Sequence, residues 1–258
     1  MGGCAPECAA GDHGRAELAL LAPQVRHDAG SPAAGQEIMN LHLEILPDSQ
    51  KEVWKELEAV PGHFVLYGGT ALALRLGHRT SVDFDFFSAD PFDTEKLLAT
   101  LPFAKNCEIL QSSANTLTFV VDRNGPVKLS FFGGLTFGQV SAPDIAPGNG
   151  IKIASINDIF ATKLRVVPER SEAKDYTDIA EILKSGVSLE TGLGCARAVY
   201  GASFNVMLPL KALIYFGDGD LPTLPKTTTK RLVEAVQRVN LKEIPEITWQ
   251  SQKIGVAT

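Results

Sequence analysis

Two aspartates, Asp83 and Asp85, stand at alternate positions of the run Val82-Asp83-Phe84-Asp85-Phe86-Phe87. The alternation predicts a strand with Val82, Phe84 and Phe86 on one face and the two carboxylates on the other. Carboxylates side by side on an open strand face suit a hard, oxygen-seeking divalent cation, Mg²⁺ or Mn²⁺. Just upstream, Gly68-Gly69-Thr70 follows the apolar run Phe64 to Tyr67 and precedes Ala71-Leu72-Ala73-Leu74-Arg75-Leu76. This reads as a short buried strand, a sharp glycine turn and a helix capped by Thr70 and stopped by Gly77. Backbone N–H groups at a helix start hold phosphate. Either feature alone is common in α/β domains. Within one strand-turn-helix-strand unit, Phe64 to Ser88, they point together to a nucleoside triphosphate and its metal ion.

The cations such a substrate needs lie far along the chain. A helix from Ile156 to Val167, capped by Ser155 or Asn157, carries Ile156, Ile159, Phe160, Leu164 and Val167 on its apolar face, and Lys163 falls on the same side. A lysine there either snorkels along the core edge to water or aims at an anionic substrate. Asp158, Thr162 and Arg165 fall on the other, solvated face, which makes Asp158 structural. After Pro168-Glu169-Arg170, a helix is expected from Ser171 through Leu183, with Tyr176, Ile179, Ala180 and Leu183 inward. Lys174 and Asp178 form an i,i+4 pair, worth only ~0.2–0.5 kcal/mol on a solvated face.

Gly68-Gly69-Thr70 with Arg79-x-Ser81-x-Asp83-x-Asp85 resembles the signature of the polymerase-β-type nucleotidyltransferase superfamily, and more narrowly the AbiEii/AbiGii-type toxin nucleotidyltransferases. The segment Asp158-x4-Lys163-x6-Arg170-x3-Lys174-Asp175-x2-Asp178 is similar to the same family, and the likeness runs from about Met39 to Ile247. The resemblance implies transfer of a nucleoside monophosphate from an NTP to a hydroxyl on RNA (tRNA included) or protein, with Mg²⁺ or Mn²⁺ on Asp83 and Asp85. It places Gly68, Gly69 and Thr70 on the β- and γ-phosphates, and Arg79 and Ser81 on the loop or a phosphate. Lys163 and Lys174 then neutralise the leaving pyrophosphate, Arg170 supports them, and Asp175 holds Lys174 or Lys163 in place. It also implies a toxin paired with a cognate antitoxin, in the cytoplasm. The superfamily sets a third carboxylate on a neighbouring strand, where this chain has Lys128 and Ser130 on the polar face of Val127 to Phe132. Ser130 in that place leaves a catalytically impaired nucleotide-binding module as an alternative, and a small-molecule (antibiotic) nucleotidyltransferase as another.

The elements that must position these groups follow from the rest of the pattern. Asp48 or Ser49 caps a helix through Val53, Trp54, Leu57 and Val60, ended by Pro61-Gly62. A helix follows from Pro91 to Leu101, starting at Asp93 or Thr94. Strands are expected at Cys107–Leu110, Leu117–Asp122 and Val127–Phe132, the last two joined by the turn Arg123-Asn124-Gly125-Pro126. The Gly- and Pro-rich stretch 133–150 is a connection with one short strand near Phe137 to Val140, and Ile151 to Ala154 reads as a last, edge-like strand. Helices are expected at about Leu189–Val199, Val206–Tyr215 and Lys226–Val239, and Gly217-Asp218-Gly219-Asp220 is a turn. The fold class is α/β (α+β): a mixed, nucleotidyltransferase-like sheet flanked by helices, followed by a helical C-terminal region. Its parts are a poorly ordered tail over 1–38 (or an upstream start before a natural one at Met39), an α/β core over 39–154, and a mainly helical region over 155–258 that completes the site.

Composition bounds the rest. With 258 residues, 45% of them hydrophobic, the chain can bury a full core. A net charge of −6 argues against indiscriminate nucleic-acid binding. No run approaches the ~18 apolar residues of a membrane span. The four cysteines, at 4, 8, 107 and 195, read as unpaired thiols in a reducing compartment; Cys4-x3-Cys8 with His13 lacks a second pair for zinc.

Overall fold

The computed structural model describes Met1, residues 40–251, and residues 253 and 254. The expected tail, with Cys4, Cys8 and His13, lies outside the described residues apart from Met1. A first helix, α1 (Asp48–Glu56), is followed by strand β1 (Val65–Tyr67), helix α2 (Gly68–Leu76) and strand β2 (Asp83–Phe87). Then come α3 (Thr94–Thr100) and the strands β3 (Glu108–Ser113), β4 (Thr116–Asp122) and β5 (Pro126–Phe132). Two short strands, β6 (Asp144–Ile145) and β7 (Lys152–Ile153), close the sheet. Helices α4 (Ile156–Val166), α5 (Ala173–Lys184), α6 (Leu189–Tyr200), α7 (Met207–Ala212) and α8 (Lys226–Arg238) complete the described chain.

The strands form one seven-stranded mixed sheet in the order β3-β4-β5-β2-β1-β7-β6. The β2–β5 and β1–β7 pairs are parallel; the others are antiparallel. This confirms the expected fold class, a mixed sheet flanked by helices. Its centre is β2, whose alternation sends Phe84 and Phe86 into the core. There Phe86 stacks on Phe131 at 5.0 Å and Phe131 on Phe119 at 5.9 Å, while Phe64 meets Phe131 edge-on at 5.1 Å. Aromatic burial of this kind holds the central strands in fixed register, because a one-residue slip would turn Asp83 and Asp85 into that core.

Several local expectations needed correction. Val82 lies outside β2 and is 58% exposed, so the strand begins at Asp83 itself. The cap of α1 is Pro47, and no Asp48 or Ser49 side chain caps it, since Asp48 already occupies the first helical position. The segment Phe137 to Val140 forms only one bridge, Gln139 to Ser251, rather than a strand. Strand β7 is interior instead of an edge, because β6 from the same glycine-rich connection pairs along its free side. Helix α5 starts at Ala173 after Glu172, two residues later than the Ser171 start. Asp93 and Ser155 cap α3 and α4 through their side chains, as expected of these residue types. The Asp218–Asp220 segment is a turn whose Asp220 carboxylate accepts from the Ala173 N–H at 2.6 Å, tying it to the start of α5.

Candidate active site

The site begins with register. In the parallel β2–β5 pair, Asp83 stands beside Lys128 and Asp85 beside Ser130. In the antiparallel β1–β2 pair, Tyr67 stands beside Asp85, which brings the carboxylate to the end of β1 where the glycine turn begins. Gly68 has φ +73°, a conformation that L side chains rarely adopt, and a Cβ there would lie 3.0 Å from Asp85 Oδ2. A Cβ on Gly69 would collide with the Arg79 guanidinium. The diglycine is therefore required twice, once by backbone conformation and once by close packing against a carboxylate and an arginine.

Helix α2 starts at Gly68, so Thr70 sits inside the first turn and is not the N-cap; Tyr67 holds that position without a side-chain bond. The Thr70 hydroxyl is buried and donates to the Asp83 carbonyl, with the buried Ser81 hydroxyl 2.9 Å away. That hydroxyl braces the start of β2 and is not displayed to solvent. The first-turn N–H groups of Gly68, Gly69 and Thr70 have no intrahelical acceptor by helix geometry.

Asp83 and Asp85 share the polar face of β2, opposite buried Phe84 and Phe86. Asp83 is paired with Lys128 at 3.1 Å, both groups remaining partly exposed. Burial raises the Asp85 carboxyl above the ordinary carboxylate range, and the neighbouring Asp83 charge adds to it; Lys128, a hydrogen bond from Ser130, and Lys163 pull the other way. Two like charges held together and partly dried are a strained arrangement that a divalent cation would relieve. The donor set fits one that is bound by one or two carboxylates with its remaining positions left to water and phosphate. Among the described residues, no group of three or more His, Cys, Asp or Glu side chains converges as a metal cage.

Near Asp85, close enough for Lys163 to act on it by charge, lies a buried ionic cluster built by α4, α5 and the α2–β2 connection. Lys163, 5% exposed, places its Nζ 2.7 Å from Asp175 Oδ1 and 2.5 Å from Asp178 Oδ2. Neither snorkelling to water nor an open ammonium describes it: the amine is held between two carboxylates. Arg170 donates to both Asp175 oxygens, at 2.7 and 3.2 Å. Arg79 donates to both oxygens of Asp178, at 2.7 and 2.9 Å, and His78 Nε2 lies 2.8 Å from the same residue. Burial alone would raise both aspartates. Lys163 and Arg170 overcome it at Asp175, and His78, Arg79 and Lys163 overcome it at Asp178, so both carboxyls titrate below their ordinary range.

Other expectations divide. Asp175 holds Lys163, and it does not hold Lys174, which pairs with Glu172 at 2.7 Å on the exposed side. The i,i+4 pair of Lys174 with Asp178 does not form, because Asp178 is fully buried among other cations. Asp158 is buried rather than solvated: it accepts from the Val140 and Ser141 N–H groups and the Ser155 hydroxyl, pinning the glycine-rich connection to α4. Sequence reasoning gave Asp178 only a solvated pairing with Lys174, and gave His78 no role beyond a polar connection. The signal for Asp178 was present, since it lies three residues after Asp175 on the same helical face. Nothing in the sequence marks His78.

Comparison with known proteins identifies the family and the fold. Residues 55–253 match the family described as nucleotidyl transferase AbiEii toxin, Type IV TA system. The chain is 32% identical over 158 residues to an uncharacterized protein of Aquifex aeolicus (strain VF5), covering 60% of this chain and 74% of that relative. Two solved structures share the fold. One, from H. pylori, was described as a candidate nucleotidyltransferase; it has TM-score 0.51 and 20% identity, over 74% of this chain and 92% of its own. The other, the nucleotidyltransferase toxin MenT4 of Mycobacterium tuberculosis H37Rv, has TM-score 0.51 and 14% identity, over 74% and 84%. With residues 55–253, most of its length, matched by the family, the chain belongs to the AbiEii family of toxin nucleotidyltransferases.

Proposed function

We propose that the protein transfers a nucleoside monophosphate from an NTP to a hydroxyl on RNA, tRNA included, or on protein, and that it is the toxin of a pair with a cognate antitoxin. The observation that carries this reading is the Asp83–Asp85 pair standing on one strand face against the Gly68–Gly69 turn, with Asp85 Oδ2 next to Gly68. In it, Asp83 and Asp85 hold Mg²⁺ or Mn²⁺. When bound, that ion supplies Lewis-acid activation of the attacking hydroxyl and neutralises phosphate charge. The N–H groups of Gly68, Gly69 and Thr70 take the β- and γ-phosphates. The acceptor oxygen attacks the α-phosphorus in line, the bond to the β-phosphate oxygen breaks, pyrophosphate leaves with that electron pair, and the hydroxyl proton passes to water.

The buried ionic cluster serves by position. Lys163, fixed by Asp175 and Asp178, presents its charge to the Asp85 side of the site. An ammonium held by two carboxylates loses little freedom when a phosphate arrives. Arg79 supports the glycine turn from Asp178, Ser81 and Thr70 brace the start of β2, and Arg170 steadies Asp175. Lys174, more than half exposed, reaches the pyrophosphate end from the rim. On this reading the region from residue 155 completes a site begun by residues 39–154, and the protein acts in the cytoplasm. No described helix is long and apolar enough to cross a membrane.

Ser130 favours a second reading, a module that binds nucleotide without transferring it, because serine is no general base at neutral pH. One assay separates them. The protein is incubated with each labelled NTP, Mg²⁺ or Mn²⁺, and total RNA, beside the Asp83→Ala/Asp85→Ala double variant. Label moved by the parent alone supports transfer. Nucleotide binding without transfer under both metals supports the module.

A further inference from the structure

The row of β5 that faces the acidic pair carries a cation. Lys128 stands in register with Asp83, its Nζ 3.1 Å from Asp83 Oδ2, and Ser130 stands in register with Asp85. Sites that hold two ions about 3.5–4 Å apart must offset four positive charges at close range. Here two carboxylates face that task, with no third metal-binding side chain gathered beside them among the described residues. Resting on the transferase reading above, we propose that the site takes a single divalent ion and that the Lys128 ammonium supplies the second positive centre. The formal charges agree. Two carboxylates, one divalent ion and one ammonium sum to plus one, as do three carboxylates around two divalent ions. Position agrees as well. Lys128 is 40% and Asp83 36% exposed, so the ammonium stands at the open side of the face. Its flexible stem lets it turn from Asp83 toward a substrate oxygen once an ion occupies that carboxylate.

The bland account of Lys128 is a solvated cross-strand pair with Asp83, worth ~0.2–1 kcal/mol and nothing to the chemistry. Titration of Mn²⁺ into the full chain, with free ion read by electron paramagnetic resonance, distinguishes the two. The titration is run without nucleotide and with an α,β-methylene NTP analogue. The expected result is one ion per chain in both conditions. In Lys128→Met, Mn²⁺ binding without nucleotide should tighten by ~3–10-fold, because the ammonium no longer competes for Asp83. Turnover of the same variant should fall by ~10–100-fold, and Lys128→Arg should recover most of it. Affinity rising while turnover falls is a split that a purely structural lysine would not give. Two ions per wild-type chain, or Lys128→Met with unchanged Mn²⁺ affinity or unchanged turnover, would overturn the proposal. A wild-type chain that moves no label overturns the transferase reading instead, while the ion count and the affinity shift, both read without turnover, still decide Lys128.

Discussion

The two charged regions of this molecule are built to opposite rules. On β2, Asp83 and Asp85 are crowded, partly exposed and under-compensated, with Lys128 and Ser130 in register beside them and Lys163 acting on Asp85 by charge. In the ionic cluster, by contrast, Asp175 and Asp178 are fully buried and over-supplied with donors from Lys163, Arg170, Arg79 and His78. The first arrangement costs the fold stability and leaves a charge deficit for a ligand to fill. The second pairs each carboxylate with several cations, and in doing so ties α4, α5 and the α2–β2 connection into one frame. A carboxylate's neighbours, more than its identity, thus decide whether it does chemistry or architecture.

That contrast can be broken at either end. Replacing both Asp83 and Asp85 by alanine should lower nucleotide transfer by at least ~10³-fold. The melting temperature should not fall, since a repulsive pair is being removed; a large loss of stability would place these residues in the structural class. Asp178→Ala should do the reverse in kind. It leaves Lys163, Arg79 and His78 facing an empty buried site, at a cost of about 3–5 kcal/mol in urea unfolding. A loss below ~1 kcal/mol would show that the cluster is not what holds the helices to the strand.

The pH dependence sharpens the comparison. Asp175 and Asp178 have folded-state values below the ordinary carboxylate value of ~3.9. Their stabilisation is therefore complete above that value and is lost as pH falls through the folded ones. Asp85 has the opposite sign: its carboxyl is raised, so ionising it costs the folded state as pH climbs from the ordinary value through the raised one. Asp85→Asn should accordingly raise the metal-free melting temperature at neutral pH and leave it unchanged well below pH 4, whereas Asp178→Asn should flatten the acid limb of the stability curve. The smallest effect belongs to the rim. Lys174→Ala removes an exposed pair with Glu172 and should change stability by no more than ~0.5 kcal/mol, while raising the KM for NTP if it meets the pyrophosphate end.

Much of the architecture could be read without coordinates, for identifiable reasons. The period-two pattern through Phe84 and Phe86 set β2 and sent Asp83 and Asp85 to its other face, because a strand has no other way to bury two phenylalanines. The alternation in β5 placed Lys128 and Ser130 together on that side. Short-range chemistry was less dependable. Thr70 has the right residue type for a cap, yet its hydroxyl finds the Asp83 carbonyl at the start of β2, a partner thirteen positions away. Asp158 looked solvated because helical projection shows only its own helix, whereas the Val140–Ser141 backbone folds over it.

What the sequence by itself determined is the set of local faces: which residues of a strand or helix turn together, and where glycine must bend the chain. Only the tertiary structure decided which charges meet. Lys163 and Asp175 are twelve residues apart, Arg79 and Asp178 ninety-nine, and no periodicity links either pair. Their association follows from helices α4 and α5 and the α2–β2 connection converging on one another, where burial forces every charge to find an opposite one.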